Sequence, residues 1–338
     1  MLIKKTILPL VLLAAVFLLF ACTAPAAQGD DGTFDIVCTV FAPFDWVQNL
    51  TADCEKVSVT LLAANGADLH SYQPTAADIA RIAESDLLIY VGGESDRWAY
   101  DAAQNAAPAV PAVSLTELLG ERAKTEELVE GMQDDGHDHD GAYGYDDAHS
   151  HAGAESPSGT EIDEHVWLSP KTAAVLVREL ADRLSDTNAD NADRIRENAE
   201  RYLEQLAALD EAYTHTVQAA PHKVFVVADR FPFRYLADDY GLTYYAAFPG
   251  CSAETDAGFH TVIFLAEKLA EQGLTHIAVT ESADASLAKS ICENSTASDV
   301  QTVVLNSMQT LTEQDIASGA DYLDIMRQNL EALQTLLS

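Results

Sequence analysis

Basic residues are scarce in this chain of 338 residues. Lys and Arg together number 19 against 54 Asp and Glu, which gives a formal net charge of −35 at pH 7. Nucleic acid and anionic membrane surfaces attract proteins through clusters of basic side chains, so neither is an expected partner. The acidic excess favours cations near the surface without indicating which cation is bound.

Long apolar runs are scarce as well. The chain has one, which extends from Ile7 to Ala21, follows two lysines and ends directly before Cys22. This run is shorter than the roughly 20 apolar residues of a typical transmembrane helix. An apolar run of this length after basic residues is typical of a secretory signal. We therefore expect a signal peptide over residues 1–21 and a soluble, extracytoplasmic body.

The end of this run looks like a lipobox, because residues 19–22 read Leu-Phe-Ala-Cys. In that interpretation the mature chain starts at Cys22, with lipid on its sulfur and amine, and continues as a tether over residues 22–33. The protein is then anchored to the cell membrane by this lipid alone. The alternative is an ordinary signal peptide cleaved near Ala24 or Ala27.

Cysteine is limited to five residues, none of them in the C-x-x-C spacing of many thiolate metal sites. Because an exported chain permits disulfides, we expect the four cysteines after Cys22 to pair within each half of the chain, as Cys38–Cys54 and Cys251–Cys292. Four cysteines allow three pairings, and proximity along the chain favours this one. A thiolate metal site is the competing interpretation, and the missing spacing counts against it.

The pattern of strands and helices predicts two similar α/β lobes. Roughly three hundred residues follow the signal, enough for two domains of ordinary size. Short β-branched runs alternate with segments of helical spacing over 34–170 and again over 221–338, which predicts a mostly parallel sheet flanked by helices in each lobe. No Pro or Gly interrupts residues 171–220, so we expect one long rigid helix between the lobes, with a bend allowed near 187–190.

Five of the ten histidines lie between residues 134 and 165. The first four are in a run of Gly, Asp, Ala and Tyr that cannot form a core: His137, His139, His149 and His151. Short His-rich tracts are typical of metal binding, so we expect the acidic loop 134–155 to capture zinc with low affinity and raise its local concentration. The alternative is an exposed spacer without relevant affinity.

Four other side chains are candidates for a fixed metal site. His70 follows a predicted strand, His165 precedes the long helix, and Asp229 and Glu281 each follow a predicted strand of the C-terminal lobe. Ligands bind outside the carboxyl ends of parallel strands, so we expect these four side chains to converge in a cleft. Nitrogen and oxygen ligands of this mix suit Zn²⁺ or Mn²⁺, and the nitrogen share favours Zn²⁺. His260 is a further candidate for a supporting role.

Several motifs resemble those of the zinc/manganese substrate-binding lipoproteins of metal ABC transporters, the cluster A-I or ZnuA-like family. They are His-Ser-Tyr-Gln-Pro at 70–74, His-Val-Trp-Leu-Ser-Pro at 165–170 with the His-rich insertion before it, and Tyr-Leu-Ala-Asp-Asp-Tyr-Gly at 235–241. The resemblance implies two α/β lobes joined by a single long helix, with the metal between them. His70 and His165 fall on the first two ligand positions of that family, and Glu281 falls on its C-terminal acidic one.

At the third ligand position this sequence departs from the family. The family usually has His there, or Glu in manganese binders, whereas a gapless match anchored on Tyr235 places Arg230 at that position. A guanidinium group cannot coordinate a metal because it stays protonated. Asp229 is the expected substitute if the backbone shifts by one residue, and the alternative is a site with three protein ligands plus water.

The resemblance implies a monomeric receptor that binds a divalent metal, most readily Zn²⁺, and hands it to an ABC permease without catalysis. The alternatives are a manganese-specific receptor of the same family, a zinc-dependent hydrolase and a surface adhesin. Against the hydrolase, neither H-E-x-x-H nor a close His-x-His pair occurs outside the loop. A catalytic zinc site also needs an open coordination position and a general base.

Overall fold

A computed structural model of the chain describes residues 32–64, 66–133, 161–252 and 256–338. Several predicted features lie outside the described residues: the signal peptide 1–21, Cys22 with most of the tether, and the loop 134–155 with His137, His139, His149 and His151. Phe34 to Ser338 forms one compact unit. Within the described part of the chain, no helix is both long enough and apolar enough to cross a bilayer.

The N-terminal lobe is built on four parallel strands in the order β2-β1-β3-β4. Helices cover both faces of this sheet, which is why β3 reads Leu-Leu-Ile-Tyr and is buried at every position. The strands are β1 (Phe34–Cys38), β2 (Val57–Leu61), β3 (Leu87–Tyr90) and β4 (Ala112–Ser114). The helices are α1 (Phe41–Leu50), α2 (Ala76–Glu84), α3 (Arg97–Asn105) and α4 (Leu115–Leu119).

The C-terminal lobe repeats this arrangement, with four parallel strands in the order β6-β5-β7-β8. The strands are β5 (Val224–Phe231), β6 (Thr243–Pro249), β7 (His276–Thr280) and β8 (Gln301–Leu305). The helices are α7 (Arg234–Tyr240), α8 (Phe259–Glu271), α9 (Ala285–Asn294), α10 (Glu313–Ala317) and α11 (Tyr322–Leu336). The predicted fold class, two similar lobes with parallel sheets, is confirmed. In both sheets the strand order reverses beside the first strand, and loops at such a reversal are where ligands bind.

The segment predicted as one connecting helix forms two helices that pack against each other. They are α5 (Pro170–Thr187) and α6 (Ala192–Ala219), separated by a 3₁₀ turn over Ala189–Asn191. The bend that the sequence allows is therefore a full break. With 28 residues, α6 is about 42 Å long and reaches both lobes.

Buried hydrogen bonds fix α6 to each lobe. Asn198 Nδ2 donates to the carbonyls of Leu50, the last residue of α1, and Ala52, just beyond it, at 2.9 and 2.8 Å. Near the other end of the helix, the Tyr213 hydroxyl donates to the Met326 carbonyl in α11 at 2.7 Å. One apolar cluster runs through these helices and through strands of both lobes. Helix α6 is thus packed along its length, as expected for a rigid connection between the lobes.

The structure does not form the predicted disulfide Cys38–Cys54, and both thiols are free. Cys38 ends β1, whereas Cys54 lies just before Val57, which pairs with Phe34 at the opposite end of β1. Four residues of strand separate the two ends by about 13 Å. A disulfide requires Cα atoms within about 7 Å, so closeness along the chain was a misleading guide here.

The predicted disulfide Cys251–Cys292 is not formed in the structure either, and both of these thiols are free as well. Cys251 follows β6, at the carboxyl edge of the C-terminal sheet. Cys292 lies in the last turn of α9, the helix that leads back to the start of β8. A helix between parallel strands runs against the strand direction, so its last turn is at the amino edge of the sheet, opposite Cys251.

Candidate metal centre

The structure brings the two predicted imidazoles together. His70 lies in a 3₁₀ turn over Leu69–Ser71, after β2, and His165 lies just before α5. Their Nε2 atoms are 3.2 Å apart. His165 is completely buried, and the side chain of His70 is 9% exposed, so the pair is almost entirely shielded from water.

Each ring is held through its other nitrogen and through its backbone. Asp163 Oδ1 accepts from the backbone N–H of His165 and contacts its Nδ1, both at 2.9 Å. Similarly, Asp68 Oδ1 accepts from the backbone N–H of His70 at 2.9 Å, and His70 Nδ1 is 2.8 Å from Ser95 Oγ. Metal-binding histidines are usually oriented in this way, with Nδ1 bonded to a fixed partner and Nε2 left for the ion.

The two imidazoles differ in how readily they hold a proton. Burial, followed by the charge of His165, lowers the pKa of His70 to about 3. His70 is therefore neutral at neutral pH, the form that coordinates metals. Burial alone would lower the pKa of His165 too, but the hydrogen bond and charge of Asp163 outweigh it and raise the pKa above its ordinary value.

Two buried carboxylates beside the imidazoles favour a cation. Asp163 and Glu164 are 2% and 3% exposed, and neither forms an ion pair with Lys or Arg among the described residues. Glu164 Oε1 accepts from the Ser95 N–H at 3.0 Å. Its Oε2 is buried without a hydrogen-bond partner in the described part of the chain and lies 3.7 Å from His70 Nδ1. Such buried charge is costly unless a positive charge is close by.

Cys251 joins the two imidazoles. Its Sγ and one ring nitrogen each of His70 and His165 all lie within 4.8 Å of one another, and no other group of three or more His, Cys, Asp or Glu is this close within the described residues. Burial, then the charge of Glu126, raises the pKa of the Cys251 thiol. A metal bound here would therefore displace the thiol proton.

Gly250 allows the turn that carries Cys251 to approach His165. A Cβ at this position would lie 2.9 Å from the Phe231 carbonyl oxygen and 3.1 Å from the His165 ring. Any side chain would push the turn away from the imidazole. Cys251 shares the feature that favours Asp229 and Glu281 as ligands, a donor atom just past the end of a strand, so the sequence holds a signal for this residue besides the predicted disulfide.

The structure does not bring Asp229 into this group. Asp229 lies within β5, next to the point where the pairing of β5 with β6 shifts register. Its Oδ1 accepts from the Arg230 N–H at 2.8 Å, and its Oδ2 accepts from the Thr280 hydroxyl. One oxygen thus bonds to the next residue of β5, and the other connects β5 with the end of β7.

Glu281 is also engaged within its own lobe and is not part of the group. Its Oε2 accepts from the Ser307 N–H at 2.7 Å, and its Oε1 accepts from the Ser307 hydroxyl at 2.8 Å. The Gln309 N–H and the Thr310 hydroxyl add longer hydrogen bonds to Oε1, both at 3.3 Å. This carboxylate therefore organises the loop after β8. Its predicted role as a metal ligand stays a prediction, as does that of Asp229.

Arg230, at the position where the family has its third ligand, forms an ion pair across the cleft. Its Nη2 donates to Asp68 Oδ2 at 2.6 Å, and the side chains are 18% and 11% exposed. Burial alone would raise the pKa of Asp68, but Arg230 and His70 lower it overall. A residue of the C-terminal lobe thus holds the loop that carries His70. The structure places His260, the candidate for a supporting role, on the exposed surface at the start of α8, and it forms no hydrogen bond or ion pair with the described residues of the site.

Known proteins resemble the chain over nearly its whole length. It is 31% identical over 329 residues to zinc-binding lipoprotein AdcA of Streptococcus pneumoniae serotype 4, a match that covers 96% of this chain and 60% of AdcA. It is 28% identical over 333 residues to the high-affinity zinc uptake system protein ZnuA of Bacillus subtilis, covering 97% of each. The chain thus spans about 60% of the length of AdcA and 97% of the length of the Bacillus subtilis protein.

The fold is shared with a solved structure as well. The crystal structure of the Zn(II)-bound ZnuA-like domain of Streptococcus pneumoniae AdcA matches with a TM-score of 0.67 and 27% identity, over 90% of this chain and 99% of that domain. Residues 36–336 also match a family described as zinc-uptake complex component A, periplasmic. This match includes both lobes and all of the side chains at the centre. The chain therefore belongs to the ZnuA family of periplasmic zinc-uptake components.

Proposed function

We propose that the protein is an extracytoplasmic receptor that captures Zn²⁺ and delivers it to an ABC permease. The observation that carries this proposal is the pair of Nε2 atoms 3.2 Å apart, each on a ring fixed through its other nitrogen. Two nitrogens at about 2.05 Å from a tetrahedral zinc ion are about 3.3 Å apart. The imidazoles are therefore already spaced for one ion, so binding requires little rearrangement.

Membership of the family supports this function, because zinc-uptake component A is a transport component and not an enzyme. The names of AdcA and ZnuA both specify zinc, which favours Zn²⁺ over Mn²⁺ as cargo. The complete burial of His165 also suits capture. A hydrolase would need an open coordination position that a substrate can reach.

A lipid anchor on Cys22 is the second part of the proposal. It rests on the lipobox at residues 19–22 and on the description of AdcA as a lipoprotein. We expect a monomer held at the membrane by this lipid, next to its permease. Replacing Cys22 with Ser should move the protein from the membrane fraction to the soluble fraction, and membrane retention of the variant would contradict the anchor.

Calorimetric titration of zinc into the metal-stripped protein tests the receptor function. His165→Ala should weaken zinc affinity by at least about 100-fold, since even the partners that orient a ligand contribute about 10- to 100-fold. His215→Ala is the matched control, because this histidine is exposed on α6. Wild type and the control should bind zinc equally tightly. Equal affinity in His165→Ala would contradict a zinc site in the cleft.

A further inference from the structure

We propose that Cys251 is the third protein ligand of the metal and that its thiolate confines the cargo to thiophilic ions such as Zn²⁺, excluding Mn²⁺. The inference rests on the proposed receptor function and specifies which donors of this chain perform it. It assigns to a cysteine the coordination role that the family gives to His, at a different place in the sequence. The observation behind it is the cluster of the Cys251 Sγ with ring nitrogens of His70 and His165.

The distances suit coordination by two nitrogens and one sulfur. With zinc bonds of about 2.05 Å to nitrogen and about 2.3 Å to sulfur, tetrahedral geometry separates the sulfur from each nitrogen by about 3.6 Å. All three donor atoms lie within 4.8 Å of one another. Closing the remaining gap takes a movement of about an ångström at most, which is within reach of a χ1 adjustment of Cys251.

The other C-terminal candidates are already committed to different partners. Asp229 receives hydrogen bonds on both oxygens, and so does Glu281. Arg230 has no lone pair to offer and is directed at Asp68. Among the described residues of the C-terminal lobe, Cys251 is thus the donor that the structure places with the two imidazoles.

Contacts from the N-terminal lobe hold Cys251 in place. Its backbone N–H donates to Glu126 Oε1 at 2.6 Å, so a residue of the N-terminal lobe fixes the turn. Further along the same segment, the Gln133 N–H donates to the Ala247 carbonyl of β6 at 2.9 Å. Together with the close approach allowed by Gly250, these contacts fix Cys251 relative to His165. Coordination therefore joins the lobes through a turn that is already ordered.

The chemistry of sulfur determines which ions such a site accepts. Thiolate is a soft ligand that favours Zn²⁺ and Cu⁺, whereas Mn²⁺ favours carboxylate, carbonyl and water oxygens. Replacing an oxygen or nitrogen donor with sulfur therefore raises discrimination against Mn²⁺. Affinity alone ranks Mn²⁺ below Zn²⁺ at most sites, and a thiolate widens that difference. The site is thereby specialised for zinc by one residue.

The first test uses Co²⁺ as a spectroscopic substitute for Zn²⁺. The metal-stripped full-length protein is loaded with Co²⁺, and its near-ultraviolet absorption is compared among wild type, Cys251→Ser and Cys292→Ser. Cys292 is the matched control, since it is a free, partly exposed thiol in the same lobe. A thiolate-to-cobalt charge-transfer band should be present in wild type and the control and absent in Cys251→Ser. Its presence in Cys251→Ser, or its absence from wild type that binds Co²⁺, would overturn the inference.

The second test is a competition titration of Zn²⁺ against Mn²⁺. Cys251→Ser should weaken zinc binding by about 10- to 100-fold, and Cys251→Asp, which supplies an oxygen donor, should reduce the preference for zinc over manganese by about 10-fold or more. The two hypotheses fail differently. If wild type binds no metal tightly, the receptor function is wrong. If wild type binds zinc tightly and both Cys251 variants keep its affinity and its preference, only the role of Cys251 is wrong.

Discussion

The two lobes provide their parts of the metal centre in different ways. In the N-terminal lobe, each imidazole is oriented by an acid two residues earlier in the chain, Asp68 for His70 and Asp163 for His165. In the C-terminal lobe, the acids at the strand ends are bonded to distant groups of their own lobe, and Glu281 contacts residues 26 to 29 positions away. Local sequence thus determines one half of the centre, and tertiary competition for hydrogen bonds determines the other.

The dependence of the N-terminal half on buried acids predicts a pH effect on stability. Asp96 is completely buried and accepts hydrogen bonds from the Val91 and Gly92 N–H groups and the Thr39 hydroxyl. Burial raises the pKa of Asp96 to about 6, against the lowering effect of these donors. Because the folded state holds this proton more tightly, the stability contribution is full below about pH 4 and is lost as pH rises through about 6.

Urea unfolding of the metal-stripped protein at several pH values measures this loss. Between about pH 4 and pH 7, wild type should lose about 2 to 3 kcal/mol of unfolding free energy relative to Asp96→Asn, because each unit of pKa shift corresponds to about 1.4 kcal/mol. The comparison uses only the change in unfolding free energy with pH, because the substitution also changes the local hydrogen bonds and so shifts the free energy at every pH. Asp229→Asn, in the other lobe, serves as the control. Parallel pH profiles for wild type and Asp96→Asn would contradict the prediction.

A second prediction compares one carboxylate from each lobe directly. Asp163→Asn should weaken zinc binding by about 10- to 100-fold, because it removes the charge that orients His165 and strengthens it as a ligand. Asp229→Asn should change affinity by less than about 3-fold, because this carboxylate bonds to Arg230 and Thr280 instead. Calorimetric titration of both variants decides the matter. A large loss in Asp229→Asn would mean that Asp229 coordinates the ion after all.

Sequence reasoning reached the fold and the N-terminal half of the site because both depend on local patterns. The alternation of strands and helices along the chain predicts the parallel sheets. The acids that orient His70 and His165 lie two residues before each histidine. The break between α5 and α6 at 189–191 was harder to locate, because neither Pro nor Gly marks it. There the chain reverses so that two apolar helix faces can pack together.

The C-terminal half could not be predicted in the same way. Whether Glu281 is available to a metal depends on where Ser307 lies, and nothing in the residues next to Glu281 shows that. Cys251 and Cys292 are 41 residues apart along the chain, yet they are at opposite edges of one sheet. Pairing by proximity along the chain fails in α/β lobes because each crossover helix carries the chain from one edge of the sheet to the other.

Glu281→Gln sharpens the comparison further. The carboxylate accepts four hydrogen bonds from residues 307–310, so the neutral amide should lower the free energy of unfolding by about 1 to 3 kcal/mol. Zinc affinity should stay within about 3-fold of wild type if Glu281 only organises this loop. Chemical denaturation and zinc titration on the same preparation separate the two effects. An affinity loss as large as that of His165→Ala would identify Glu281 as a ligand and restore symmetry between the lobes.

The smallest effect on the cleft is expected from deleting residues 134–154. Both flanks of this segment are held independently of it, since Gln133 bonds to Ala247 and Gly258, and Ile162 forms a β-bridge with Thr125. The deletion should therefore leave the tight zinc affinity within about 2-fold of wild type while removing additional weak binding equivalents. Titration to excess zinc resolves both classes of site. If the tight site weakens as much as it does in Asp163→Asn, the histidines of the loop belong to the centre, and the division of ligands between the two lobes has to be redrawn.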